Sequence, residues 1–339
     1  MKPLVSILIP AYNAEEWVAD TIHSALWQTW PSKEIIVVDD GSTDDTLSVA
    51  RRFEAKNVKV VTQPNQGSSA ARNTARGLCQ GDYIQWLDGD DLLAPDKIEK
   101  QMAVALQTRS KRTLFSSAWA YFMYRPSKAK FSPTPLWCDL TPGKWLFRKM
   151  SQNLHMQPDT WLVSRELTET AGHWDTRLWR DNDGEYFCRV ILASDGILFV
   201  PDARCYYRLS GSSSISYIGR SVKKQDSLFL SMRLHIGYLR SLQDSETTRN
   251  ACLKYLQTWF HNFYPERADL IYQLEELATS LGGRLETPKL PWKYAWIQKL
   301  FGWDVAKQVQ RIIPECKLRL MKSWDKAMAR IRNEKCVAG

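Results

Sequence analysis

No two of the seven cysteines form a C-x-x-C pair; Cys79, Cys138, Cys188, Cys205, Cys252, Cys316 and Cys336 are scattered along the chain. That spacing supports neither a zinc site nor a disulfide framework, and it fits reduced thiols in a cytosolic protein. Long apolar runs are missing too. No uncharged stretch reaches the roughly 18–20 residues needed to cross a bilayer. The opening LVSILIPAYN is too short and too strand-like for a signal peptide. There is no P-loop, no Rossmann G-x-G-x-x-G and no Ser-His-Asp set. The five histidines do not cluster, and His155, in NLHMQPDTW, reads as a packed or surface residue. Neither an internal repeat nor a low-complexity segment is present.

The 339 residues are enough for one large domain or two smaller ones, and 44% hydrophobic with 24% charged residues is a soluble globular composition. The net charge of +9 is unevenly placed: residues 286–339 hold 12 Lys and Arg against 5 Asp and Glu. A basic tail of this kind is a separate question from the body.

The first hundred residues alternate two patterns. LVSILIP, KEIIVVDD, VKVVTQ and DYIQWLD are short apolar runs, as expected of strands buried on both faces. Between them, AEEWVADTIHSALWQT, STDDTLSVARRFEA and QGSSAARNTARGLCQ read as helices, the second capped by Ser42 or Thr43. Such alternation predicts a parallel sheet with helices on both sides. After Pro95 come a helix (IEKQMAVALQ), a longer strand (TLFSSAWAYFMY) and the irregular KFSPTPLWCDL. Short strands and helices then mix, with GILFV and ARCYYRL as separate strands, and from about Ser221 the chain reads as mainly helical.

Three polar clusters fall at predicted strand ends: residues 10–13 (PAYN), 39–42 (DDGS) and 88–91 (DGDD). Each alone is ordinary turn chemistry. Together, at the carboxyl edge of one sheet, they predict a ligand pocket. The third ends the run YIQWLDGDD, where three acids within four residues repel one another and call for a compensating cation.

VSILIPAYNAEEWVADTIHSALWQTWPSKEIIVVDDGSTDDT, NQGSSAARNTA and DYIQWLDGDD occur in that order. Together they resemble the large inverting glycosyltransferase family 2, with its A-type nucleotide-sugar fold. The resemblance is dense over residues 1–100, looser to about 214, and absent from the C-terminal third. It implies an α/β fold with a mostly parallel central sheet flanked by helices. The expected domains are a catalytic one over 1–215 (1–100 for nucleotide, 101–215 for acceptor) and a helical extension over 216–339 ending in the basic tail.

Site residues follow from the same resemblance. Pro10 and Tyr12 match positions that shape the base and ribose pocket, and Asp40 one that hydrogen-bonds the base. Arg72 matches a basic residue near the nucleotide. Asp88 and Asp90 match the family's Asp-x-Asp, the first toward ribose or metal and the second toward Mn²⁺ or Mg²⁺. Arg208, in CYYRLSGSSSIS, is expected to help hold diphosphate or to serve structurally. Aligning Arg189 with the family's arginine puts Asp183 at the catalytic base. Asn182 stands where an acid often precedes it, which keeps Asp181 and Glu185 as rivals. The fifteen tryptophans read mostly as core, with Trp161 and Trp174 as the candidates for a sugar-stacking platform.

The implied activity is metal-dependent, inverting transfer of one sugar from a nucleoside-diphosphate donor, UDP-linked for preference, to a saccharide or lipid-linked acceptor. No nucleic-acid partner is expected. The Gln-x-x-Arg-Trp signature of processive synthases is absent. A sugar nucleotidyltransferase is the enzyme rival, although LVSILIPAYNAEE lacks its glycine-rich, lysine-containing loop. A nucleotide-sugar-binding protein without catalysis is the other. WKYAWIQKLFGW, over residues 292–303, interleaves aromatics with lysines, so the tail is expected either to dock on an anionic cytoplasmic membrane face or to pack on the body.

Overall fold

The computed structural model describes residues 2–108, 110–210, 221–289 and 291–331. Strand β1 (Val5–Ala11) is buried along its whole length and lies between β2 (Lys33–Asp39) and β4 (Tyr83–Trp86), parallel to both. β3 (Val58–Thr62) extends this parallel half beyond β2. Two-sided burial follows from the connections: α1 (Val18–Leu26), α2 (Thr46–Arg51) and α3 (Ser68–Leu78) join successive parallel strands and cover the sheet.

Beyond β4 the sheet becomes mixed. A short β5 (Leu92–Leu93) and helix α4 (Lys97–Gln107) lead into the long β6 (Thr113–Phe122). After α5 (Pro142–Gln152), strand β7 (Leu162–Ser164) wedges antiparallel between β4 and β6. Helices α6 (Arg165–Ala171) and α7 (Asn182–Ala193) precede β8 (Gly196–Arg208), which runs parallel to β6. The full order is β3-β2-β1-β4-β7-β6-β8-β5.

Two local expectations are corrected. GILFV and ARCYYRL form one strand, because the Pro201–Asp202 interruption is absorbed as a bulge where pairing with β6 slips between Ser117 and Ala118. Neither Ser42 nor Thr43 caps α2, which starts only after Asp45. Ser42 Oγ instead accepts from the Asn13 amide, and the Thr43 amide donates to Asn13 Oδ1, tying two strand-end loops together.

Helices α8 (Val222–Leu242), α9 (Glu246–Phe260) and α10 (Ala268–Ser280) share the hydrophobic core of the sheet through Leu228, Met232, Tyr255, Phe260 and Leu274. Ser221 and Ser245 cap the first two. The expected domain boundary at 215/216 and the serines of SGSSSIS beyond Ser210 lie outside the described residues.

The last helix, α11 (Trp292–Ile331), is broken at Gly302, whose φ of 83° only glycine adopts cheaply. Its second part packs on the body. Asp325 accepts from the Tyr124 amide and from the Arg125 guanidinium, in a pair that is largely buried. Lys326 reaches Glu16 at 2.5 Å, and Lys322 donates to the Ser210 carbonyl at 2.6 Å. The basic tail is therefore joined to the loop after β1 and to the ends of β6 and β8. No helix among the described residues is long and apolar enough to cross a membrane.

Candidate active site

The carboxyl ends of β1, β2 and β4 bring the three predicted loops together. Gly89 makes this possible: a Cβ there would lie 2.9 Å from the Pro10 carbonyl oxygen, so only glycine lets the 88–91 loop close on β1. Pro10 lies buried in β1, whereas Tyr12 is 48% exposed beyond its end, free to meet a ligand. Asp40 is buried and accepts from Gln63 Nε2 and from the amides of Gln66 and Gly67. It thereby fixes the loop that starts α3.

Helix α3 carries Arg72, which is only 4% exposed. Its Nη2 donates to Asp88 Oδ1 at 2.5 Å, and its guanidinium lies 4.4 Å from the Trp174 ring centroid. Nε and Nη1 make no hydrogen bond with any described residue. A buried cation with two unspent donors beside an acidic loop is built to meet an anion.

Asp88, Asp91 and Asp159 each offer a carboxylate oxygen within 4.8 Å of the others. This all-oxygen donor set suits a hard divalent cation, so the residues present fit Mg²⁺ or Mn²⁺. Asp88 faces the cleft, while Asp91 and Asp159 are wholly buried behind it. Burial and mutual repulsion hold both buried acids well above the ordinary carboxylate range. Nearby, burial lowers the Lys97 ammonium to about 7. Asp159 escaped sequence reasoning because it stands alone in HMQPDTW; only the fold brings β7's entry loop beside β4. Asp90 lies outside this trio. Its carboxylate accepts from the Ser210 side chain, and burial with the Asp88 charge raises it to about 6.

Arg208 is corrected in one of its two expected roles: its hydrogen bonds make it the structural brace and not a diphosphate ligand. It is 1% exposed, and Nε, Nη1 and Nη2 donate to the Asp90 carbonyl, the Met123 carbonyl and Asp20 Oδ2. Its backbone amide donates to Asp91 Oδ1. A guanidinium so committed holds the 88–91 loop and has little left for a ligand.

Trp161 and Trp174 are likewise corrected: both are wholly buried, so neither presents a face to a sugar. Trp174 stacks on Tyr186 of α7 at 4.0 Å between ring centroids and supports Arg72. Trp161 stacks on Phe187.

The start of α7 supplies the three rival acids, and their surroundings separate them. Glu185 is buried in a bidentate pair with Arg189 and accepts from Tyr238 Oη at 2.6 Å. It ties α7 to α8 and is not available as a base. Asp181 accepts from Ser231 Oγ and lies 3.7 Å from His235 Nδ1. Burial works to raise it, but His235, Lys149 and the Ser231 hydroxyl together bring it below the ordinary range. Asp183 differs from both: burial and the Asp181 charge raise it, and the Arg72 and Asp88 charges also act on it. Asn182, the departure from the expected acid, donates from Nδ2 to Ser68 and Ser69 and so pins α7 to the start of α3.

Residues 6–153 match the model of glycosyl transferase family 2. The chain is 41% identical over 109 residues to the putative teichuronic acid biosynthesis glycosyltransferase TuaG of Bacillus subtilis, covering 31% of this chain and 43% of that protein. It is 48% identical over 99 residues to a chondroitin synthase of Escherichia coli, covering 29% of this chain and 14% of that one. The matched stretch thus spans less than half of either relative. Among solved structures, S. aureus TarS 1-349 in complex with UDP-GlcNAc superposes with a TM-score of 0.64 at 19% identity, covering 82% of each chain. The same protein with UDP gives 0.62 at 18% identity, covering 82% of this chain and 81% of that one. These likenesses establish the shared fold.

Proposed function

From the match of residues 6–153 to glycosyl transferase family 2, we propose that this chain is a family 2 glycosyltransferase that moves one sugar, with inversion, from a UDP-linked donor to an acceptor hydroxyl in polysaccharide or glycolipid synthesis. The observation that carries this reading is that Asn182, next to Asp183, pins the start of α7 to the start of α3, the helix whose Arg72 pairs with Asp88. Asp183 takes the hydroxyl proton as the acceptor oxygen attacks the anomeric carbon. The bond from that carbon to the diphosphate breaks on the opposite side. Arg72 receives the departing negative charge on its unspent Nε and Nη1. Pro10, Tyr12 and Asp40 form the nucleotide side, where a carboxylate acceptor suits the N3–H of uracil. Asp88 would hold Mn²⁺ or Mg²⁺ with Asp91 and Asp159 behind it, beside Asp90 of the expected Asp-x-Asp pair, and the ion when bound would neutralise charge on the diphosphate.

The relatives' printed names, teichuronic acid and chondroitin among them, support a saccharide acceptor. The first half of α11 is proposed to rest on an anionic membrane face, which would bring a lipid-linked acceptor within reach. A donor screen reading released nucleoside diphosphate, with Mn²⁺ and then with EDTA, tests the activity. UDP-sugars should turn over only in the presence of the metal. Turnover of a GDP-sugar alone, or turnover unaffected by EDTA, would overturn the donor or the metal part respectively.

A further inference from the structure

With Trp161 and Trp174 in the core, the acceptor lacks its expected aromatic platform, yet a different one exists. Trp119 and Tyr121 project from the same face of β6, and Tyr207 pairs opposite Tyr121 on β8. Trp119 contacts Tyr121, Tyr207 and His155 at centroid distances of 4.9, 6.4 and 5.4 Å, and Tyr121 meets Tyr207 at 5.6 Å. Tyr121 is 45% exposed, so the cluster presents ring surface to solvent instead of closing on itself.

This cluster faces the start of α7. His155 is within electrostatic reach of Asp181, and Tyr207 of Arg180, which stand two and three positions before Asp183. Tyr121 also lines a cavity of about 470 Å³, within the range of about 300–1,000 Å³ usual for small-molecule sites. The other walls are Phe122, Met123 and Leu209 from the sheet edge and Leu320, Met321 and Trp324 from α11, with Arg125, Lys128 and Asp325 as the charged part of the lining. Leu320 and Trp324 remain 73% and 68% exposed, although α11 is anchored beside them by Asp325. Met123 and Leu209 adjoin the Arg208 brace of the donor loop, so the cavity opens next to the donor site.

We propose that the aromatic cluster and this cavity form one acceptor site for a saccharide carrying an apolar aglycone. The sugar lies on Tyr121 and its neighbours with a hydroxyl toward Asp183, and the apolar chain fills the space between Phe122 and Trp324. Aromatic faces suit the apolar C–H face of a pyranose, and the cavity walls are mostly apolar, with Arg125 and Asp325 paired to one another and Lys128 exposed at the side, so the space suits a chain. The proposal rests on the glycosyl-transfer reading and narrows its acceptor class.

The test uses the full chain and matched panels of methyl and octyl glycosides of hexoses and N-acetylhexosamines, below their micelle concentrations. Calorimetry first records UDP binding with Mn²⁺; failure there sinks the glycosyl-transfer reading itself. Given UDP binding, octyl glycosides should bind about tenfold or more tighter than their methyl counterparts, from burial of the chain. Leu320→Ser with Trp324→Ser should shrink that gap to about twofold without changing UDP affinity. Tyr121→Ala should weaken methyl and octyl glycosides alike. Equal affinity for the two series, no glycoside binding at all, or an octyl preference untouched by the α11 substitutions would overturn the proposal.

Discussion

At the scale of single residues, three acids within five positions end with three different jobs, and their partners decide which. Glu185 is neutralised by Arg189, Asp181 is held charged below the ordinary range, and Asp183 is lifted by burial and by the Asp181 charge. A base works only when deprotonated, so a raised pKa makes activity fall as pH drops through a midpoint above the usual carboxylate range. The kcat/KM profile should therefore show an acid limb displaced upward. Asp181→Asn removes a neighbouring negative charge and should move that limb to lower pH. A limb that stays in place in Asp181→Asn would show that the titrating group is not Asp183. Alignment on Arg189 pointed to Asp183 from the sequence, which also left open a core Trp174 and a structural Arg208. The partners that commit Trp174 and Arg208, and the arrival of Asp159, were not legible, because each lies far away in the chain.

At the scale of elements, short periodic segments read correctly and their junctions did not. β1 to β4 announce themselves as apolar runs, whereas the single β8 hides behind Pro201–Asp202, a break that pairing with β6 overrides. Helix α11 meets one expectation for the basic tail, packing on the body, and leaves the membrane to a test. Beyond Gly302 its lysines and Asp325 grip the body. Before Gly302, Tyr294 and Ile297 turn inward while Trp292, Trp296, Leu300 and Phe301 stay exposed beside Lys293 and Lys299. An outward face of aromatics and lysines suits an anionic headgroup layer. In flotation, the protein should rise with vesicles containing phosphatidylserine and not with pure phosphatidylcholine. Trp292→Ser with Trp296→Ser should abolish that recovery. Equal recovery on both vesicles, or recovery unaffected by the substitutions, would remove the membrane from the account.

At the scale of the whole molecule, the sheet changes character beside the candidate site. Its parallel half, β3 to β4, gathers Asp40, Arg72 and Asp88 on one edge, and the mixed half brings Asp159 and the start of α7 against them. The first hundred residues were legible because neighbouring strands there are also neighbours in sequence. The approach of residue 183 to residues 72 and 88 was known only through family resemblance, since nothing local encodes it. That approach is the central claim, and one paired measurement addresses it: UDP affinity with Mn²⁺ and single-turnover sugar transfer, for the wild type and for Asp183→Asn. The substitution is nearly isosteric and removes only the proton acceptor. UDP affinity should be retained while the transfer rate falls by about 10²–10⁴-fold. Transfer at the normal rate would contradict the account.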